Sequence, residues 1–302
     1  MRERFGVVTN CWAAVLDSGA RFEGLVNQFC ASGFNQIEIR DGEYLRRSSF
    51  GALLDGLERV TWNYDFDLWC EICDRIHRGI PLGKAVKQED TGIIDAAGKF
   101  IRKTGEAFFS YAFTFPWLEK SSDISADKRR ISMAFRLAIL LNPRQPRVRF
   151  VSITRGDGID TDIAVSNLKR FKTLKPAGPA ILTFENFWYS PLLFLELAAA
   201  AGLPLSYDEA NNYLPDGTEL CGPEEFWKSV RPEGLASIHL KQRNGEGVLT
   251  RLGAGFVDLP AMLSRMEYVG YGGDLLFELA PTEEPLADAL HGKEYVLQFL
   301  GS

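Results

Sequence analysis

ILTFE, residues 181–185, is a short apolar run that closes on a carboxylate, and the pattern returns three times downstream. PLSYD (204–208) ends on Asp208, ASIHL (236–240) carries His239, and DLLFE (274–278) ends on Glu278. Each run is rich in β-branched or aromatic residues, as buried strands are. Strands of a parallel barrel all point the same way, so four such C-terminal ends converge on one rim. Two glutamates, an aspartate and one imidazole gathered there make a mostly oxygen-donor site. That donor set suits a divalent cation such as Mn²⁺, Co²⁺ or Mg²⁺.

Upstream, the chain opens with FGVVT (5–9). An amphipathic helix follows, with Phe22, Leu25, Val26, Phe29 and Cys30 on one face and Gly33 as its stop. The next strand, NQIEIR (35–40), completes a βαβ unit that favours parallel pairing. AFFSYAF (107–113) and RVRFVSI (147–153) bring the strand candidates to eight. Helical patterns at 128–141, 163–171, 192–201, 223–230, 259–268 and 287–300 alternate with them. This order predicts a single (β/α)₈ TIM barrel, one domain over residues 1–302. A doubly wound sheet is the competing architecture, but no G-x-G-x-x-G follows the first strand. Residues 43–105 exceed what one helix needs and carry helical patterns at 68–76 and 93–101. They are read as an enlarged β2–α2 excursion lying over the active face, serving as a lid, an oligomer contact or a plain surface insert.

The formal charge of −6 argues against a nucleic-acid partner. The basic groups Arg46-Arg47 and Lys128-Arg129-Arg130 are short and read as solvated surface. No apolar run approaches the roughly 18–20 residues that span a bilayer, so no membrane partner is expected. The opening MRERFGVVTN lacks the apolar core of a signal peptide, which leads to an expected cytoplasmic location. Five scattered cysteines do not suggest a disulfide scaffold. The C-x-x-C at Cys70 and Cys73 sits in FDLWCEICDRI, whose Phe66, Leu68, Trp69, Ile72, Cys73 and Ile76 are spaced more like one helix face. Buried helical thiols are therefore favoured over redox or zinc chemistry.

Taken singly, each member of the tetrad admits a structural reading. Glu185 suits a salt bridge at a strand end, and Asp208 suits a cap of the turn DEANN. His239 suits a core histidine, flanked by Ile238 and Leu240 on the opposite face and sharing its own face with Lys241. His77 and His291 lie in polar helical contexts and read as surface. Four such groups in successive strands make coincidence the weaker account.

The sequence resembles the xylose isomerase-like TIM-barrel superfamily of sugar epimerases and isomerases, inosose dehydratase and endonuclease IV. The matching features are FEN at Glu185-Asn186, D-x-x-N from Asp208 to Asn211 and IHLK from Ile238 to Lys241. LGAGFVD (252–258) and GYGGDLLFE (270–278) follow in order, and GFNQIEIRDG resembles the family's second strand. The resemblance implies one divalent metal, Mn²⁺ above Co²⁺, Mg²⁺ or Zn²⁺, held by Glu185, Asp208, His239 and Glu278. It also implies that Glu185 and Glu278 move protons on opposite faces of a metal-stabilised enediolate. Proton return to the neighbouring carbon gives isomerisation, return to the opposite face gives epimerisation, and loss of a β-hydroxyl gives dehydration.

The expected activity is thus isomerase or epimerase on a small sugar-like polyhydroxy carbonyl compound. An inosose dehydratase-like lyase is the alternative, and a non-catalytic sugar-binding barrel a further one. The endonuclease IV branch needs a histidine-rich zinc cluster, which three histidines cannot supply. Asn211 stands where several sugar epimerases carry histidine, and Gln242 and Arg243 follow the H-x-K where many members place Asp. Asn211, Lys241, Arg243, Glu38, Trp12 and Arg155 are the candidate substrate-binding residues. The resembling families are usually dimers or tetramers, so a homo-oligomer is expected.

Overall fold

The structure, a computed structural model, describes residues 4–105, 107–116, 125–153, 159–187, 190–214, 216–220 and 223–300. The strands are β1 (Arg4–Val8), β2 (Gln36–Arg40), β3 (Phe108–Pro116), β4 (Arg147–Ile153), β5 (Ile181–Glu185), β6 (Leu205–Asp208), β7 (Leu235–Leu240) and β8 (Asp274–Phe277). Each pairs in parallel with the next, and β8 returns to β1 to close the barrel. The helices are α1 (Ala13–Asp17), α2 (Phe22–Ala31), α3 (Glu43–Arg47), α4 (Ser49–Val60), α5 (Phe66–Arg78), α6 (Thr91–Lys103), α7 (Ser125–Leu141), α8 (Thr161–Lys172), α9 (Pro191–Ala201), α10 (Pro223–Ser229), α11 (Leu259–Tyr268) and α12 (Pro285–Leu297). Among the described residues no helix is long and apolar enough to cross a membrane.

Strand parity decides what the barrel encloses, because alternate side chains point to opposite faces. Aromatic residues point outward and anchor the strands against the helices. Phe150 stacks on Phe184 at 5.9 Å, Phe184 meets Phe194 of α9 at 5.9 Å, and Tyr207 stacks on Phe226 of α10 at 4.0 Å. Phe277 lies edge-on to Phe5 and Phe34 at 5.7 and 5.5 Å. With those positions committed outward, their neighbours Arg149, Glu185, Asp208 and Glu278 are directed inward. A hydroxyl layer lines part of the interior: Thr183 Oγ1 is 3.2 Å from Ser206 Oγ, itself 2.9 Å from Ser237 Oγ. Arg147 and Asp274, at the opening residues of β4 and β8, form an ion pair.

The excursion after β2 forms α3 to α6. Expected over the active face, these helices instead pack largely on the barrel's flank. Phe50 of α4 stacks on Phe22 of α2 at 4.4 Å, and Phe100 of α6 meets Phe109 of β3 at 5.8 Å. On the far side α5 packs against α7, where Trp69 Nε1 donates to the Arg136 carbonyl at 2.9 Å. The physical reason is that α4, α5 and α6 each carry an apolar stripe, and those stripes are buried against one another, against α2 and α7, and at Phe109 on β3. α3 reaches the strand ends, and Tyr44 Oη donates to the Arg40 carbonyl at 2.7 Å. The C-x-x-C lies on α5 as expected, and burial pushes both the Cys70 and Cys73 thiols up, Cys73 strongly.

Candidate metal centre

Glu185 ends β5, Asp208 ends β6, His239 lies one residue before the end of β7, and Glu278 directly follows β8. Backbone bonding aims them. The Glu278 N–H donates to the Leu240 carbonyl at 3.0 Å, prolonging the β7–β8 ladder by one residue. The Asn186 side chain does the same between β5 and β6: Nδ2 donates to the Asp208 carbonyl at 2.7 Å, and Oδ1 accepts from the Asp208 N–H at 2.8 Å. All four side chains are buried, and one donor atom from each lies within 4.8 Å of the others.

Buried polar atoms ordinarily find partners, so a buried donor nitrogen that lacks one suits a ligand. His239 Nδ1 is buried without a hydrogen bond, whereas Nε2 lies 3.5 Å from Glu38 Oε1 and Glu185 Oε2 is paired with Arg149. His239 Nδ1 stands 3.4 Å from Glu185 Oε2 and 3.9 Å from Glu278 Oε2, so three donor atoms face one another. Three carboxylates and an imidazole of this kind fit a divalent cation.

Protein cations surround the same carboxylates. Lys241 Nζ donates to Asp208 Oδ2 at 3.0 Å and lies 3.2 Å from Glu278 Oε1 and 3.4 Å from Asn211 Oδ1. Arg40 donates to Glu278 Oε1 at 2.6 Å from the rim, with its side chain 37% exposed. Arg149, interior on β4, clasps Glu38 and reaches Glu185. Burial alone would push the Glu278 carboxyl up. Lys241, Arg40, His239 and Arg149 outweigh it and hold the group well below the usual carboxylate range. Burial is likewise outweighed at Glu38, which Arg149 and His239 bring down to about 2.

The candidate substrate-binding residues separate. Asn211 and Lys241 are in the site; Asn211 Nδ2 donates to Glu185 Oε1 at 2.7 Å. Glu38 is inside the barrel but committed to Arg149 and 2% exposed, so it faces the ligands rather than an open pocket. The Trp12 ring is not pocket-lining: it is fully buried between Phe22 and Phe29 at 5.3 and 5.1 Å, drawn into the apolar layer under α2. Arg243 donates to the Gly247 carbonyl within its own loop at 3.0 Å. Arg155 lies outside the described residues. Arg149 and Arg40 were not among the candidates. The signal for Arg149 was an arginine at an inward parity position of RVRFVSI, which a buried strand tolerates only beside carboxylates.

No family model and no curated protein matches the sequence. Solved structures do. A xylose isomerase domain containing protein from Salmonella typhimurium aligns over 100% of this chain and 98% of its own, at TM-score 0.63 and 13% identity. An IolI protein holding a zinc atom aligns over 99% and 100%, at TM-score 0.62 and 14% identity. D-psicose 3-epimerase from Clostridium cellulolyticum, solved with D-tagatose, aligns over 99% and 100%, at TM-score 0.62 and 11% identity. With the closed parallel barrel and four inward donors at successive strand ends, the chain has the fold of the xylose isomerase-like TIM barrels.

Proposed function

We propose that the protein is a divalent-metal-dependent isomerase or epimerase of a small polyhydroxy carbonyl compound. The observation that carries this reading is the convergence of Glu185, Asp208, His239 and Glu278 with their donor atoms buried and partly unpartnered. The zinc atom of the IolI structure and the sugar bound to the epimerase support it through shared fold. A bound ion of this kind supplies Lewis acidity toward a substrate carbonyl oxygen.

The chain's own residues would do the rest. Glu278 is held ionised by Lys241 and Arg40, as a proton acceptor must be. Glu185 is oriented by Asn211 and Arg149, so two carboxylates on different strands are available to take and return a proton. Lys241 and Arg40 would stabilise negative charge that develops on substrate oxygens. A specific observation favours dehydration as the second reading: the Lys241 ammonium, buried among the ligands, can protonate a departing hydroxyl. The ligand set admits Mn²⁺, Co²⁺, Mg²⁺ or Zn²⁺, with Mn²⁺ the first choice for its oxygen-rich donors.

The test is incubation with Mn²⁺ and a panel of ketoses and inososes in D₂O, followed by mass spectrometry. Product of unchanged composition with deuterium incorporated at one carbon supports isomerisation or epimerisation, and loss of water supports the lyase. A protein that binds no divalent ion and converts none of the panel would sink both.

A further inference from the structure

Behind the four proposed ligands lies a buried ion pair with an unusual reach. Arg149 Nε donates to both oxygens of Glu38 at 3.0 Å and its Nη2 to Oε1 at 2.5 Å, while Nη1 contacts Glu185 Oε2. One guanidinium therefore ties the carboxylate of β2 to that of β5, with both Arg149 and Glu38 about 3% exposed or less. Glu38 also faces His239: its Oε1 is 3.5 Å from Nε2, whereas Nδ1 points to Glu185 and Glu278. The imidazole is thus divided, with one nitrogen toward the ligand carboxylates and the other toward Glu38.

A buried salt bridge by itself adds little net stability, because desolvation offsets most of the attraction. Its retention needs another reason, and the contacts point to one. A ligating histidine is fixed in tautomer and orientation by the acceptor that takes its other N–H. We propose that Glu38 and Arg149 are positioning residues of the metal centre. Glu38 accepts the Nε2 proton so that Nδ1 is the donor nitrogen, and Arg149 holds the Glu185 carboxylate in place. This rests on the tetrad being a metal centre.

The experiment measures Mn²⁺ binding by calorimetry and the visible spectrum of the Co²⁺-loaded protein, for wild type, Glu38→Gln and the double variant Glu38→Gln/Arg149→Met. The double variant removes one charge of each sign, so it keeps the net charge, and it carries the test if the single variant fails to fold. Expected is a Kd for Mn²⁺ raised roughly 10–100-fold in both variants, with shifted Co²⁺ bands and thermal melts that remain cooperative. Folded variants with wild-type affinity and spectrum would overturn the positioning role while leaving the metal reading intact. Affinity restored in the double variant would show that the pair acts through charge alone, and overturns it too. A wild type that binds neither ion overturns this proposal together with the reading beneath it.

Discussion

Inside the barrel, Glu38, Glu185, Asp208 and Glu278 face Arg40, Arg149 and Lys241, which leaves one negative charge in excess among these groups. Lys241 shares its ammonium between two proposed ligands, so it competes with a cation for the same oxygens. At a separation of about 4 Å and an effective dielectric near 20, such a repulsion is on the order of 4 kcal/mol before relaxation. Lys241→Met is therefore expected to tighten Mn²⁺ binding about tenfold and to lower the melting temperature of the metal-free protein. Calorimetry and a melt in chelator check both, and weaker binding would instead assign Lys241 to orienting the ligands. Next to Asp208, Glu209 points outward to Tyr207, Trp227 and Arg265, with Asp258 nearby. Burial raises its carboxyl to about 7 from an ordinary 4.5. The folded state thus holds a proton that the unfolded chain has lost, and stability falls as pH rises from about 4.5 to about 7. The loss is at most about 3 kcal/mol. Denaturant unfolding at pH 5 and pH 8 should show that decline in wild type and a flatter profile in Glu209→Gln.

At the level of elements, strand ends are shaped by side chains that imitate backbone. Gln242, two residues beyond β7, donates Nε2 to the Val257 carbonyl at 2.7 Å and accepts the Val257 N–H at 3.0 Å. That pins the LGAGFVD segment against the residues that follow Lys241. Gly255 is required there, since a Cβ would sit 2.3 Å from Gln242 Oε1 and 2.4 Å from the Arg243 carbonyl. Gln242→Ala strands the buried Val257 N–H, while the Val257 carbonyl keeps the Leu259 N–H at 2.9 Å, and should cost about 1–3 kcal/mol in urea unfolding. Gly255→Ala should cost more, because backbone must move. The segment was legible as a motif, yet its purpose was not: a glutamine after H-x-K reads only as a departure until its amide is seen paired. The excursion teaches the same lesson. Its helical stripes at 68–76 and 93–101 were readable, and α5 and α6 contain them. Which surfaces those stripes cover, α7 for α5 and α4 with Phe109 of β3 for α6, was decided only in the closed fold.

For the whole molecule, a ligand that binds the folded barrel and not the open chain stabilises it by mass action. Ligands drawn from β5 to β8 come together only in the closed fold, so the linkage should be strong. Mn²⁺ at 100 times its dissociation constant is expected to add about 2.7 kcal/mol. The melting temperature should rise by several degrees and return on chelation; an unmoved melt across a Mn²⁺ titration would count against the metal centre.

The sequence by itself determined the barrel and the tetrad. Short apolar runs, helix-period stripes and terminal carboxylates are local patterns, and a parallel barrel converts their order directly into proximity. What only the tertiary structure decided is the company those four residues keep. Arg149 on β4 meets Glu38 on β2, Arg40 meets Glu278 at the rim, and Trp12 sinks into the aromatic layer. The two ion pairs join strands that are not neighbours in sequence, and they follow from barrel closure, register and the need of every buried charge for a partner.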